Sequence, residues 1–448
     1  MNRSMRIVCL GLAPVAALWQ PARGDDLPAL LREFFIAARP DERDAARKAI
    51  LAIPQLDHAR LEAAIDKLTL WPDRPLDGDR LRVELGVEHR IVLELLVRLP
   101  RDYTPRRRWP LMIALHGSGS QAADIMSLMR RMLGDDAERF ILIAPENIDG
   151  PGFAEPVDRE MRPRELLIAL RKRLRIDNDR VFVAGYSLGG HRAFLTAVLH
   201  GDCLAGVMPL AGALVLPGDN ALVDLFLENV RPLPMLVVWG ENDVEFGITP
   251  RNRPLRGLAK SLKLDRYEAI ELPGEGHLGV VPPAASLKAW LGRTRERYPH
   301  TVHQAFRFAE TSRAYWVRAQ KLAGAPLPAG EVRAPVRAGE DPRKAMAEYL
   351  RKQVGVIDAV SRDQMIELET RRSTYVELLL HDDLIDLNRP ITVFRHKKKT
   401  WAGIVPRDLG VTLDEAAREW DFQRLPRAKL IVPVGGKARP VVETGSSR

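Results

Sequence analysis

The chain reads as an α/β protein: a doubly wound, mostly parallel sheet, preceded by a short helical region and followed by a small, mainly-β domain. Three observations predict this. Between residues 80 and 297 short apolar runs of strand length alternate with stretches of helical length, the pattern of βαβ units with helices on both sheet faces. Two of those runs, Leu111–Leu115 and Met235–Trp239, are almost continuously apolar, as strands buried on two faces must be. After Tyr298 the texture changes to short strands separated by turn residues.

Each element follows from local pattern. In the helical region Leu27, Leu30, Leu31, Phe34 and Phe35, then Ala45, Ala46, Ala49 and Ile50, then Leu61, Ala64, Ile65 and Leu68 recur at helical spacing, and Pro40 and Pro54 punctuate them into two or three helices over about residues 25–75. The main-sheet strands are expected at Leu81–Leu85, Ile91–Leu99, Leu111–Leu115, Phe140–Ala144, Val181–Ala184, Leu204–Pro209, Met235–Trp239 and Ala269–Leu272. Helices are expected near 121–133, 160–174, 189–200, 252–263 and 283–297, which gives a domain over 80–298. Residues 322–341 are rich in Pro, Ala and Gly and read as a linker. Beyond it, within a small domain at 299–435, strands are expected at Gln364–Thr370, Tyr375–Leu380, Ile391–Arg395, Trp401–Ile404 and Lys429–Val434. One helix interrupts them at Leu413–Glu419, with Thr412 as its N-cap and Glu415 completing a capping box. Residues 436–448 read as a disordered tail.

Composition narrows the function. The 448 residues are 46% hydrophobic and 28% charged, with 68 Lys and Arg against 59 Asp and Glu, a net charge of +9. That excess is scattered; the longest basic run is Arg395 to Lys399. Such a distribution marks a solvated exterior, not a nucleic-acid footprint. Arg3 and Arg6 precede an apolar run, Ile7 to Trp19, followed by small residues at Ala22–Gly24. This is the layout of a signal peptide over residues 1–24, so the protein is expected to be exported, to the periplasm or the medium. The run is short for a membrane span, and no later segment offers 18 uninterrupted apolar residues. Cleavage after Gly24 would lower the net charge to +6 and leave Cys203 as the sole cysteine, which allows no intramolecular disulfide.

The chemistry centres on Gly185-Tyr186-Ser187-Leu188-Gly189, followed by Gly190. Three fixed residues at ~7% frequency give roughly 0.15 matches in a chain of this length by chance. The setting raises it well above that: an apolar strand precedes the motif and a helix follows. The nucleophile of such a motif sits on a sharp strand-to-helix turn, and glycines two residues to either side avoid collision. A serine hydroxyl needs a base, and the base needs an acid to fix its tautomer. Strand Met235–Trp239 ends in Gly240-Glu241-Asn242-Asp243, and strand Ala269–Leu272 ends in Pro273-Gly274-Glu275-Gly276-His277. Asp243 and His277 thus fall in the required order at the ligand-binding edge of the sheet, with Glu241 and Glu245 as alternative acids. Upstream, strand Leu111–Leu115 runs into His116-Gly117-Ser118-Gly119-Ser120. A glycine-rich turn there lets the Ser118 N–H join that of Leu188 as an oxyanion hole. His116 braces the turn, and Tyr186 packs beneath the elbow.

These four ordered motifs, with Leu115-His116-Gly117-Ser118-Gly119 first, resemble the α/β-hydrolase superfamily over about residues 80–297. The branch they resemble is that of bacterial phospholipase/carboxylesterases, dienelactone hydrolases and polyhydroxybutyrate depolymerases. The resemblance implies Ser187 as nucleophile, His277 as general base and acid, Asp243 as the orienting carboxylate, and Ser118 and Leu188 as oxyanion donors. It implies no metal or cofactor. Dienelactone hydrolases carry a Cys nucleophile where this chain has Ser187, so their activity is not implied. The C-terminal part, with Val376–Leu380 and Asp386–Val393, resembles a β module appended to such hydrolases.

The expected function is a serine carboxylesterase acting on a small or polymeric ester. A prolyl-oligopeptidase-like peptidase, or a binding protein on a hydrolase scaffold, are the alternatives. Other motifs read blandly: His300 and His303 as surface histidines, since nothing completes a metal site; Lys397–Lys399 as a hairpin tip; Trp401 and Trp420 as core of the small domain. The loop Glu146–Pro163, with Phe153 and Met161, is expected to wall the acyl pocket.

Overall fold

The computed structural model describes residues 26–76, 78–86, 91–148, 162–216, 220–324, 334–337, 339–433 and 439–441. The expected signal segment and most of the loop carrying Phe153 and Met161 lie outside them. The chain divides into two units, residues 1–68 and 69–448.

The first unit holds three helices, α1 (Leu27–Ile36), α2 (Pro40–Leu51) and α3 (His58–Asp66). Pro40 opens α2, where its missing N–H costs nothing, and the Asp57 carboxylate caps α3 by accepting from the Arg60 N–H at 2.8 Å. Leu31, Phe34, Ile50, Leu61 and Ile65 are buried, the residues the helical spacing selects.

The second unit is built on an eight-stranded sheet. In chain order its elements are β1 (Arg80–Leu85), β2 (Ile91–Arg98), β3 (Trp109–Leu115), α4 (Ala122–Leu133), β4 (Ile141–Pro145), α5 (Arg162–Arg173), β5 (Ile176–Tyr186), α6 (Leu188–His200), β6 (Gly206–Leu210), α7 (Val223–Leu227), β7 (Met235–Gly240), α8 (Ile248–Ser261), β8 (Tyr267–Leu272) and α9 (Ala284–Leu291). The strand order is β1-β2-β4-β3-β5-β6-β7-β8. Only the β1–β2 and β2–β4 pairs are antiparallel. β3, β4, β6 and β7 are buried along their whole length, because helices cover both faces. Alternate residues feed opposite cores: Leu111, Ile113 and Leu115 join one cluster, Met112 and Ala114 the other. Edge strand β1 instead alternates exposed and buried residues. The helix expected at 283–297 ends at Leu291.

The remainder forms two further sheets, from β9 (Thr301–Phe306), β10 (Val317–Leu322), α10 (Pro342–Gln353), β11 (Gly355–Arg362), β12 (Met365–Arg371), β13 (Ser373–Leu380), β14 (Ile391–Arg395), β15 (Lys398–Gly403), α11 (Leu409–Glu419), β16 (Ala428–Pro433) and β17 (Arg439–Val441). Their orders are β15-β14-β12-β11-β9 and β10-β13-β16-β17. Residues from both sheets share one core, including Phe306, Trp316, Ile357, Leu378 and Leu430. Ala305, Leu350, Val354 and Val356 belong instead to a main-sheet cluster, so apolar packing is continuous between the two parts.

Several expectations are corrected here. α11 starts four residues before the predicted Leu413, capped by Asp408, which accepts from Gly410 and Val411 N–H. Thr412 lies inside the helix and donates to the Pro426 carbonyl at 2.7 Å, and Glu415 is a buried ion-pair partner of Arg313. Part of the expected tail, Arg439–Val441, pairs with β16 as a strand. His303 is not a surface residue: it is buried, with Nδ1 2.6 Å from Asp358 and Nε2 3.0 Å from the Leu225 carbonyl. Trp420, in the left-handed conformation that ends α11, faces the Phe422 ring and Lys172 of α5 instead of the small-domain core. Lys398 and Lys399 do follow a hairpin turn, in which His396 and Lys397 take positive φ.

Candidate active site

β5 delivers the chain to Ser187, and α6 begins one residue later. Ser187 has φ 55° and ψ −115°, a region that L residues occupy only under strain. The surroundings hold it there. A Cβ at Gly185 would lie 2.0 Å from the Gly189 carbonyl oxygen, and one at Gly189 would lie 2.1 Å from the Leu115 carbonyl oxygen. The glycines therefore let the helix start press onto β3 and its own strand. The Ser187 N–H donates to Leu210 of β6 at 2.9 Å, which fixes the turn from a third strand.

Asp243 and His277 reach this serine from the ends of β7 and β8. His277 Nε2 is 2.9 Å from Ser187 Oγ, and Nδ1 is 2.7 Å from Asp243 Oδ2. With Asp243 ionised, Nδ1 carries the proton and donates to the carboxylate, so Nε2 is free to accept from the serine hydroxyl. Asp243 is buried. Its turn is tied down by Thr249, which donates from N–H to the Asp243 carbonyl and from its hydroxyl to the Gly240 carbonyl. Of the alternative acids, Glu241 is exposed and accepts from the Gly274 N–H at 2.9 Å, bracing the histidine loop. Glu245 is exposed as well.

The loop after β3 lies against Ser187. A Cβ at Gly117 would sit 3.4 Å from Ser187 Cβ, and Gly119 takes φ 72°. His116 is buried and its Nδ1 is 2.8 Å from the Gly117 carbonyl, consistent with bracing this turn. Ser118 is exposed beside the site. Leu188 opens α6, where its N–H has no acceptor within the helix and the helix dipole favours negative charge.

Four residues near the site take roles that their local sequence does not state. Tyr186 does more than pack: its hydroxyl donates to the His277 carbonyl at 2.6 Å. Burial raises its phenol pKa, which keeps it a donor. Phe246 stacks on the His277 imidazole, with ring centroids 4.1 Å apart and an interplanar angle of 25°. His191, one turn into α6, meets the backbone of Ala213 through Nδ1, and burial lowers its pKa. Gly212 leaves room for α6, since a Cβ there would lie 2.5 Å from the Gly190 carbonyl carbon. Only a contact map reveals such residues; the glycine pair Gly189-Gly190 hints at Gly212 because a close approach needs a bare backbone on both sides.

A mostly parallel sheet, a serine on the sharp turn from strand to helix, and an acid and then a histidine on later strand ends define the α/β-hydrolase fold. No family profile matches the chain. Over 143 residues it is 29% identical to NocK of Nocardia uniformis subsp. tsuyamanensis, a protein named as a candidate esterase. That alignment takes in 30% of this chain and 40% of NocK; the chain thus spans less than half the length of the relative it matches. Among solved structures it is similar to a thermostable esterase, at 17% identity and a TM-score of 0.37, over 48% of this chain and 64% of that one. It is also similar to a ferulic acid esterase from Anaeromyces mucronatus, at 16% identity and a TM-score of 0.34, over 47% of this chain and 88% of that one.

Proposed function

We propose that the protein is a serine hydrolase that cleaves carboxylic esters through an acyl-enzyme on Ser187. The observation that carries this is the continuous contact from Asp243 through His277 to Ser187 Oγ, at 2.7 and 2.9 Å. In the first half-reaction Oγ attacks the ester carbonyl while its proton passes to His277 Nε2. The carbonyl oxygen takes up negative charge facing the N–H groups of Ser118 and Leu188. The C–O bond to the alcohol then breaks, and Nε2 returns the proton to the departing alkoxide. In the second half-reaction water attacks the acyl-enzyme, again giving a proton to Nε2, and Ser187 leaves with that proton. Asp243 holds the imidazole tautomer and balances the imidazolium formed in each half. No step calls for a metal or cofactor.

Fluorophosphonate labelling of the purified protein, with Ser187→Ala alongside, tests the nucleophile. Labelling of wild type that vanishes in the variant is expected, together with hydrolysis of nitrophenyl esters. A folded wild type that takes no label would overturn the reading. Amide cleavage outrunning ester cleavage would move the activity to a peptidase. We further propose that residues 1–24 direct export; N-terminal sequencing of protein recovered from the periplasm or medium should then begin at Asp25.

A further inference from the structure

We propose that Phe246, Leu278 and Val244 form the leaving-group side of the site and select esters of uncharged, bulky apolar alcohols. The inference rests on the reading of Ser187, His277 and Asp243 given above, and adds to it which half of the ester is recognised and by what.

Three large apolar side chains stand in solvent on the two loops that carry Asp243 and His277. Leu278, next in the chain, is 77% exposed; Val244 and Phe246, on the turn that follows Asp243, are 59% and 57% exposed. Single exposed apolar residues are ordinary, but a group of them on two adjoining loops at a candidate site marks contact with a ligand. Phe246 is anchored in this position by its stack on the imidazole. Leu278 is anchored by backbone, since the preceding carbonyl accepts from the Tyr186 hydroxyl.

The direction of proton transfer says which part of the substrate meets these side chains. His277 Nε2 protonates the departing alkoxide, so the alcohol oxygen must come within hydrogen-bond reach of that nitrogen. The carbon attached to that oxygen then lies against whatever borders the imidazole, here Phe246, with Leu278 next to His277 in the chain. The acyl chain is attached on the other side of the carbonyl carbon and is not directed there by this requirement.

Charge settles the class of alcohol. Glu241, Glu245 and Glu275 are exposed on the same two loops, and they disfavour alcohols bearing carboxylate or phosphate. Arg251, whose guanidinium donates to the carbonyls of Phe246 and Gly247, offsets one of these three charges and leaves the acidic excess.

Two ester series measured on the full-length protein test this. In one, acetate is held constant and the alcohol runs through ethanol, hexanol, 2-cyclohexylethanol and 2-phenylethanol, with glycolate as a charged member; the primary alcohols have similar acidity. In the other, the alcohol is ethanol and the acyl group runs from acetyl to octanoyl. Wild-type kcat/KM is expected to rise about tenfold from ethyl to 2-phenylethyl acetate and to be lowest for the glycolate ester. Leu278→Ser and Val244→Ser should flatten that rise while leaving the acyl profile unchanged; Phe246→Leu should flatten it and also lower kcat. Thermal melting establishes that each variant is folded. Serine variants that keep the full rise, or that alter the acyl profile instead, would overturn the proposal, as would a flat alcohol series in wild type. A wild type that labels with fluorophosphonate but shows the flat series removes this inference alone. One that neither labels nor hydrolyses any ester removes the Ser187 reading and this inference with it.

Discussion

Arg164, on the helix that leads into the strand before Ser187, donates to Glu419 at the end of α11 at 2.8 Å, with both side chains buried. The pair sits in a wider set of buried ions. Arg164 also meets Asp202, which Arg424 holds at 2.9 Å. Arg313 reaches Glu415 and Glu419 at 2.6 and 3.0 Å, and Arg295 reaches Asp421 at 2.5 Å. A buried pair contributes little net stability, but removing one partner leaves an uncompensated charge and costs about 3–5 kcal/mol. Glu419→Gln is therefore expected to lower the urea midpoint of the whole unit from Thr69 onward. A chain ending at Tyr298 would take Glu419 from Arg164 and Asp421 from Arg171 and Arg295, and is expected to be insoluble. A soluble, cooperatively folding fragment of that length would refute the argument.

The same ions predict acid sensitivity. Burial alone raises the Glu415 pKa, but Arg313 and Arg318 beside it outweigh burial and pull it down to about 2. Glu419 and Asp421 are likewise held below the ordinary carboxylate range, against burial, by Arg313 and Arg295 respectively. A depressed folded-state pKa contributes stability that is complete above the unfolded value, near 4–4.5, and that is lost as pH falls toward the folded value. Stability to urea should thus be flat, as regards these groups, above about pH 5 and should decline steeply between about pH 5 and 2. Denaturation curves at one-unit pH intervals check this, and Glu415→Gln should make the decline shallower.

The strain at Ser187 separates stability from activity. Its φ of 55° and ψ of −115° suit glycine and cost other residues about 1–3 kcal/mol. Ser187→Gly is expected to raise the thermal midpoint while abolishing ester hydrolysis and probe labelling. Ser187→Ala should abolish both without that rise, because alanine keeps the Cβ responsible for the strain.

Gly189 should tolerate no side chain. The added methyl of Gly189→Ala would meet the Leu115 carbonyl at 2.1 Å, and neither backbone segment can retreat without moving β3 or α6. The expected cost is about 3 kcal/mol or more, with loss of activity in whatever folds. Circular dichroism melts beside ester assays distinguish this from Gly257→Ala, a substitution into open space within α8.

Asp243→Asn and Tyr186→Phe should differ in size. The amide cannot hold the required histidine tautomer, and about a 10⁴-fold fall in kcat is expected. Tyr186→Phe removes one hydrogen bond to the His277 carbonyl, worth about 0.5–1.5 kcal/mol, so kcat should fall by about two- to tenfold. Steady-state kinetics on both variants decide the order.

Much of this molecule is legible in its residues taken one stretch at a time. The eight main-sheet strands were marked by apolar runs, and Gly185, Gly189, Asp243 and His277 by spacing and order. At two places where reading by stretch went astray, the residues were polar yet buried. β9 carries His303 and Gln304, both buried, so Thr301–Phe306 did not look like a strand. Glu415 was read as a cap because a glutamate three residues after a threonine usually is one; here it pairs with Arg313 and Arg318. α10 followed a stretch rich in Pro and Gly and was hidden by it.

Steric and periodic requirements act within a few residues. They suffice to place the strand-to-helix turn at Ser187, to demand bare backbone beside it, and to put an acid and a histidine on later strand ends. Tertiary structure alone could decide that Phe246 covers His277, that Asp243 meets His277 while Glu241 braces a loop, and that Arg164 meets Glu419. A charge can enter the interior only when its counter-charge arrives there too, and nothing in the local pattern around Arg164 names a partner 255 residues away.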